Sequence, residues 1–480
     1  MSMGDYLRGL RCESSVRDAG VCDSIAFAET AAAEAGTAPH VLLLSGGAHE
    51  CSNRSLALLA PAAILRVKNG RATLQTASET RDEVADPFAL LSAAREGLTR
   101  SPSTALPAAV GGYIAYDAAH AIEVLPRTTA DRLALPDLLF IWPTRMLRHD
   151  HDSGHLREVR LTWRDGNSVL APIPFDGTAA AAGTIAETER PPDREDAVLQ
   201  RSFSRAAYEE AVARVRQHIY DGDVYQVNLS QRFVFPLHEA AHSLWQRLYA
   251  ANPAPFYAYV DGGDHQVLST SMERLLRIDA DEEGERIETR PIKGTRPRGA
   301  TTEEDEAHEA ALRASEKDDA ELSMIVDLAR NDLGRVCRTG SVRVADHKRV
   351  ERYANVMHLV SVVDGRLRGD ADIAAVFRAL FPGGSITGCP KIRAMEIIDE
   401  NEAAARHVYT GSVGLLEADG TADFNIAIRT AVVHDGLCHL SVGGGIVYDS
   451  DPAEEYMETL HKGATFFRLA GIDPRTAEED

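Results

Sequence analysis

Paired cysteines, a surplus of basic residues and long apolar runs are all missing from this chain of 480 residues. Its six cysteines, at 12, 22, 51, 337, 389 and 438, include no C-x-x-C pair, and their gaps match neither a zinc site nor a small disulfide framework. Six isolated thiols in a chain of this length point to a reducing compartment. Lys and Arg number 51 against 73 Asp and Glu, a formal charge of −22. Nucleic-acid phosphates and anionic lipid both demand a basic face, so those two partner classes are disfavoured. The first twenty residues hold no apolar run of signal-peptide length. Nowhere do about 18 uncharged apolar residues follow one another, as a membrane span requires. The expectation is a cytoplasmic protein of two or three domains, or one large one. An acidic protein can still take an acidic ligand, but only through local cations or a bound metal.

Texture changes most clearly over 166–202, where Ala, Gly, Pro and acidic residues replace any periodicity. Its central part, 174–198, reads as a loop or linker. Before it, HVLLLSGG (40–47), AAILRVKNGRATLQT (62–76) and LREVRLTWRDG (156–166) read as strands, with Asn69-Gly70 as a hairpin turn. After it, Ser204 caps an expected helix in which Tyr208, Val212, Val215 and Ile219 share a face and Gly222 marks the end. VYQVNLSQRF (224–233) alternates as a strand, with Tyr225, Val227, Leu229 and Phe233 on one face and Gln226, Asn228 and Ser230 on the other. A polar row of that kind ordinarily faces solvent. One acidic helix is expected from about 303 to 330 with Thr302 as its cap, then strands with Gly-rich turns, then a helix from about 452 to 469. Such mixing of strands and long helices indicates an α+β architecture.

Several groups of residues are candidates for chemistry. Asp318 and Glu321 are three apart on the acidic helix, and Glu455 and Glu458 repeat that spacing on the last one, so each pair shares a face. Two such pairs suit Mg²⁺, which prefers oxygen ligands; equally, acidic pairs usually lie on a solvated face, and Glu458 can pair with Lys462 at i+4. FPGGSITGCPK (381–391) lacks the Lys of a phosphate loop, since Cys389 follows Gly388. A turn presenting backbone N–H groups to a carboxylate remains open there, and Gly443, Gly444 and Gly445 likewise permit a close approach of backbone to ligand. Lys293 lies near Arg290, Arg296 and Arg298; neighbouring cations disfavour its protonated form, which prepares an amine as nucleophile.

Five segments carry a resemblance: RPIKGTRPRG (290–299), MIVDLARNDLGRVC (324–337), FPGGSITGCPKIRAMEIIDE (381–400), DFNIAIRT (423–430) and GGGIVYDSDPAEEYMETLHK (443–462). In this order they resemble the chorismate-utilising enzymes, a family of anthranilate, aminodeoxychorismate, isochorismate and salicylate synthases. VLLLSGG (41–47) and GGYIAYDAAHAIEVLP (111–126) match more weakly. The resemblance implies an α+β fold of two antiparallel sheets packed as a sandwich and flanked by helices. Residues 1–173 would form the N-terminal part of that sandwich, 174–198 a loop within one unit, and 199–472 the chorismate-binding catalytic region.

Within the family, Lys293 in PIKGT, Asn228 in YQVNLSQRF and the form FPGGSITG resemble the aminodeoxychorismate synthases, whereas MHLVS (357–361) resembles the anthranilate type. By that resemblance Lys293 attacks chorismate, Glu273 serves as general acid and base, and Mg²⁺ is held by Glu321 and Glu458 with Asp318 and Glu455 in support. His358, Ser385, Tyr409, Arg429, Gly443, Gly444, Gly445 and Lys462 would line the chorismate site. Ser45 and Arg54 fall where relatives bind tryptophan. Met272 stands where relatives carry Pro before the catalytic Glu. Ammonia would come from a separate glutaminase subunit in a heterodimer, because the matched regions leave no room for a Cys-His-Glu triad. The alternatives are anthranilate synthase component I, a non-catalytic chorismate- or tryptophan-binding subunit, and isochorismate synthase; the last uses a lysine near the 224–233 strand, where this chain offers Gln226.

Overall fold

Two long strands, Arg54–Lys68 and Leu138–Asp150, organise the molecule. The computed structural model describes residues 1–101, 106–175 and 199–475. Both strands are rich in apolar residues at consecutive positions, the mark of a strand covered on both faces. They pair antiparallel along their length with a register slip between Pro61 and Ala63, beside Ala60 at φ 51°. An extra residue of this kind bends and twists a strand, so each strand serves one sheet before the bend and another after it.

The first sheet runs, strand beside strand, 226–236, 437–446, 430–434, 265–269, 257–261, 40–44, the start of 54–68, the end of 138–150, 155–165 and 11–21. The second runs 80–84, 71–76, the end of 54–68, the start of 138–150, 109–114, 412–417, 422–425, 274–281, 284–290 and 356–366, which also pairs with 292–297 and 343–352. These strand pairings are all antiparallel, and each sheet joins a block of strands from the N-terminal half to a block from the C-terminal half, through 40–44 with 257–261 in the first and 109–114 with 412–417 in the second.

The pleat decides what goes where. Val41, Leu56, Leu58, Val260 and Val267 point into the core between the sheets. Their neighbours Leu42, Ala57, Leu59, Tyr259 and Leu268 face a second core, roofed by helices Ser24–Ala35, Arg205–Tyr220, Ala241–Ala251 and Pro452–Ala470. Helices Pro87–Thr99, Glu316–Gly334 and Ile373–Leu380 cover the second sheet. The expected helix-flanked antiparallel sandwich is the observed fold.

Local signals held where local chemistry decides. Asn69 and Gly70 both have positive φ, 50° and 74°, and close a tight hairpin between Lys68 and Arg71. Ser204 accepts from the Ala207 N–H and starts the helix that ends at Tyr220. The acidic helix, however, is two: Thr302–Arg313, capped by Thr301, and Glu316–Gly334, capped by Ser315, which accepts from the Asp318 N–H. The polar row of the 226–236 strand does not face solvent. Gln226, Asn228 and Ser230 are buried, with Asn228 on a cavity wall and Ser230 bonded to Glu402 through both N–H and Oγ. Tyr225, just before the strand, is the exposed one. The expected loop 174–198 lies outside the described residues from 176 onward.

Candidate active site

A cavity of about 940 Å³ opens where the ends of both sheets meet the helices 316–334 and 452–470. Every candidate chorismate-site and metal residue lines it except Gly444. A Cβ on Gly444 would still stand 3.0 Å from Glu455 Oε2 and 3.4 Å from Glu458 Oε1.

Lys293 is carried by strand Ile292–Pro297. A register slip at Gly294, φ 68°, separates Lys293 opposite Leu359 from Thr295 opposite His358. A Cβ on Gly294 would press within 3.1 Å of Asp318, so glycine lets this strand lie against the helix. Lys293 Nζ stands 3.9 Å from Glu321 Oε2. Burial pushes its pKa down, and this outweighs Glu321, with Lys462 acting in the same direction as burial. The three arginines near it in sequence are not the cause. Arg290 is paired with Glu288 and Glu50, Arg296 with Asp318 and Arg298 with Asp305.

Glu273 precedes strand Arg274–Asp281 and is fixed by its backbone: its N–H donates to Ser271 Oγ and its carbonyl accepts from the Ile426 N–H. Its carboxyl is buried, Oε1 has no hydrogen-bond partner, and burial raises the pKa to about 7 against the pull of Ser385 and Lys293. A carboxyl that titrates near neutrality is suited to giving and taking a proton in one cycle. His358 stands opposite. Its Nδ1 lies 3.0 Å from Thr295 Oγ1 and 3.1 Å from the Gly294 carbonyl. Burial and then Arg429 hold the pKa of His358 down to about 3. Nε2 lies 3.1 Å from Met272 Sδ, so the methionine fills space against the ring.

Arg429, Lys462 and Lys317 are among the cations that line this cavity. Arg429, held at φ 48°, has no carboxylate partner among the described residues, and burial lowers its pKa. Lys462 donates to the Gly443 carbonyl at 2.8 Å and pairs with Glu458 at 2.7 Å. That i+4 pair, the plain reading of the spacing, is therefore formed.

The acidic residues differ in readiness for a cation. Asp318 is engaged by Arg296 at 3.0 Å. Glu455 accepts from Ser450 through Oε1, while its buried Oε2 has no donor; burial and the nearby Glu458 raise its pKa. Glu321 and Glu458 face the same cavity from two helices. Among the described residues no three acidic, His or Cys side chains already enclose a metal position. The donor chemistry nevertheless fits Mg²⁺, which is bound by few carboxylates with waters and ligand oxygens; an orphaned carboxylate oxygen is the vacancy such an ion satisfies.

Sequence reasoning left out Thr295, Lys317 and the lining role of Asn228. A polar row with amides and no charges was the available signal for Asn228. Ser45 and Arg54 meet elsewhere, on a cavity of about 60 Å³ where Arg54 is paired with Glu417.

A family model described as chorismate binding enzyme matches residues 39–468. The chain belongs to the chorismate binding enzyme family. It is 42% identical over 368 residues to a protein named anthranilate synthase component 1 1 from Haloarcula marismortui, covering 74% of each chain. To a protein named aminodeoxychorismate synthase component 1 from Bacillus subtilis it is 36% identical over 430 residues, covering 88% of this chain and 90% of the relative. The solved structure of anthranilate synthase component I from Streptococcus pneumoniae superposes with a TM-score of 0.70 at 28% identity, covering 89% of this chain and 94% of that one. This family member is thus an enzyme acting on chorismate, and the cavity is its candidate active site. No helix among its described residues is long and apolar enough to cross a membrane.

Proposed function

We propose that this chorismate binding enzyme is aminodeoxychorismate synthase component I, with Lys293 as nucleophile. The observation that carries the reading is a buried lysine whose pKa is lowered, in the same cavity as a carboxyl titrating near 7. Neutral Lys293 Nζ forms a bond to carbon 2 of chorismate; both conjugated ring double bonds shift, round through carbons 1, 6 and 5, and the carbon 4 hydroxyl departs as water with the proton of Glu273. Ammonia then bonds to carbon 4, both double bonds shift back and Lys293 is expelled, while the Glu273 carboxylate takes the proton of the incoming amine. Chorismate and ammonia become 4-amino-4-deoxychorismate and water. Arg429 and Lys462 offer charge-assisted hydrogen bonds to the substrate carboxylates, and His358, Ser385, Tyr409 and the glycines 443–445 shape the wall. Mg²⁺ on Glu321, Glu455 and Glu458 would supply positive charge against the ring carboxylate.

A glutaminase partner delivering ammonia, a product used for 4-aminobenzoate and folate, and a cytoplasmic setting belong to the same reading; the six free thiols support the last. For tryptophan at Ser45 and Arg54, the ligand carboxylate would compete with Glu417 for Arg54. The second reading is anthranilate synthase, with amination at carbon 2 and loss of pyruvate, favoured by the names of two relatives above. Purified enzyme given chorismate, Mg²⁺ and excess ammonium salt decides between them by liquid chromatography and mass spectrometry. Aminodeoxychorismate from wild type and at least about 100-fold less from Lys293→Ala, in the range of a lost catalytic group, is the expected result. Anthranilate and pyruvate from both proteins would overturn it.

A further inference from the structure

Behind the cavity wall lies a buried ion pair, Arg406 and Glu402, which also borders a separate space of about 30 Å³ beside Tyr116 and Asp399. Arg406 and Glu402 are almost fully covered, with side chains 2% and 4% exposed. All five N–H donors of Arg406 have an acceptor: Nε donates to Glu402 Oε2 at 2.9 Å, and Nη2 to Glu402 Oε1 and to the Asn228 carbonyl, both at 2.6 Å. Nη1 donates to the Ile386 carbonyl at 3.0 Å and to Thr410 Oγ1 at 3.3 Å. Glu402 Oε1 also accepts from the N–H and Oγ of Ser230, both at 2.8 Å. The guanidinium lies 5.9 Å from the ring centroid of Tyr409 and 4.9 Å from that of Tyr116.

The acceptors are what make this pair more than a core contact. Of the residues that accept from Arg406, Asn228 and Ile386 line the cavity, and so do Tyr409, next to Thr410, and Ser385 beside Glu273. They come from three separate pieces of chain: the 226–236 strand, the 383–387 turn and the 408–411 segment. A flat cation with five fixed donors sets their distances from one another, which a lysine with three mobile donors cannot do. We propose that Arg406, neutralised by Glu402, is a positioning residue that sets the spacing of the wall opposite Lys293 and so the fit of chorismate. This rests on the chorismate reading of the cavity and not on which product is made.

The test follows chorismate disappearance, with ammonium saturating and at a temperature below every melting transition. Wild type is compared with Arg406→Lys, with Glu402→Gln and with Thr410→Val, which removes one acceptor and little volume. Glu158→Gln is the control, a buried carboxylate paired with Arg145 in the N-terminal half. The expected result is a KM raised at least tenfold in Arg406→Lys and two- to fivefold in Thr410→Val, with Glu158→Gln lowering Tm and leaving KM unchanged. KM within twofold of wild type in Thr410→Val and in whichever of the other two variants folds, with only Tm lowered, overturns the proposal. Product analysis of wild type is read separately, so failure of the lysine reading leaves this comparison intact.

Discussion

Glu273 combines burial with a carboxyl that no hydrogen bond satisfies at Oε1, and this has a sign in pH. Its pKa stands near 7 in the folded protein against an ordinary value near 4.5. Between those limits the folded state holds a proton that the unfolded chain has released, so this residue's contribution to stability falls as pH rises across the window. Glu273→Gln is therefore expected to be more stable than wild type at pH 8 by about 3 kcal/mol, at 1.36 kcal/mol per pKa unit, and no more stable at pH 4.5. Chemical denaturation at the two pH values checks it; equal increments at both would refute the burial account. The same residue, needed first as an acid, is expected to give kcat/KM one limb near pH 7, and Lys293, which must lose its proton, the other. For Lys293 the sequence pointed to the wrong cause of its lowered basicity, because no local pattern reveals that the charges of Arg290, Arg296 and Arg298 are already neutralised.

At the scale of elements, what was legible depended on where the deciding contact lay. The hairpin at Asn69-Gly70 and the cap at Ser204 are settled within four residues, and both are where the pattern put them. The break between Arg313 and Glu316 was hidden because both flanking segments are acidic and helical in composition, although Ser315 is a cap by type. The break turns Asp318 and Glu321 toward the Lys293 strand. The burial of Asn228 could not be read either, since an alternating strand does not say what covers its polar face. Glycine shows the opposite case, a residue whose reason is its neighbours. A Cβ on Gly445 would stand 2.7 Å from Gln226 Nε2 and 3.4 Å from Lys293 Nζ. Gly445→Ala is expected to lower kcat/KM roughly tenfold or more, about 1.4 kcal/mol of transition-state stabilisation, while shifting Tm by only a few degrees. Steady-state kinetics beside a melting curve tests this, and an unchanged kcat/KM would show that the methyl is accommodated.

Each sheet of the molecule is shared by both halves of the chain, joined through one strand pairing. Strand 40–44 sits between 54–68 and 257–261, and strand 109–114 between 138–150 and 412–417. Residues 199–480 alone would expose the open edges of 257–261 and 412–417, each a template for non-native pairing. That fragment is expected to aggregate, and co-expression with residues 1–175 to restore soluble, chorismate-consuming enzyme. A soluble, active C-terminal fragment would contradict the shared-sheet account. The family resemblance made this architecture legible, whereas texture alone would have divided the chain at 174–198.

The pairing of 40–44 with 257–261 also imposes an order in time. Leu44 finds its partner only when Tyr257 has been synthesised, about 210 residues later, a wait of roughly 10–40 s at 5–20 residues per second on the ribosome. Throughout that interval the apolar strand 40–44 has one of its two strand neighbours, 54–68. A nascent chain of this protein is thus expected to need its hydrophobic strand edge covered by chaperones, and its yield in a cell to respond to the pace of translation as well as to the stability of the finished enzyme.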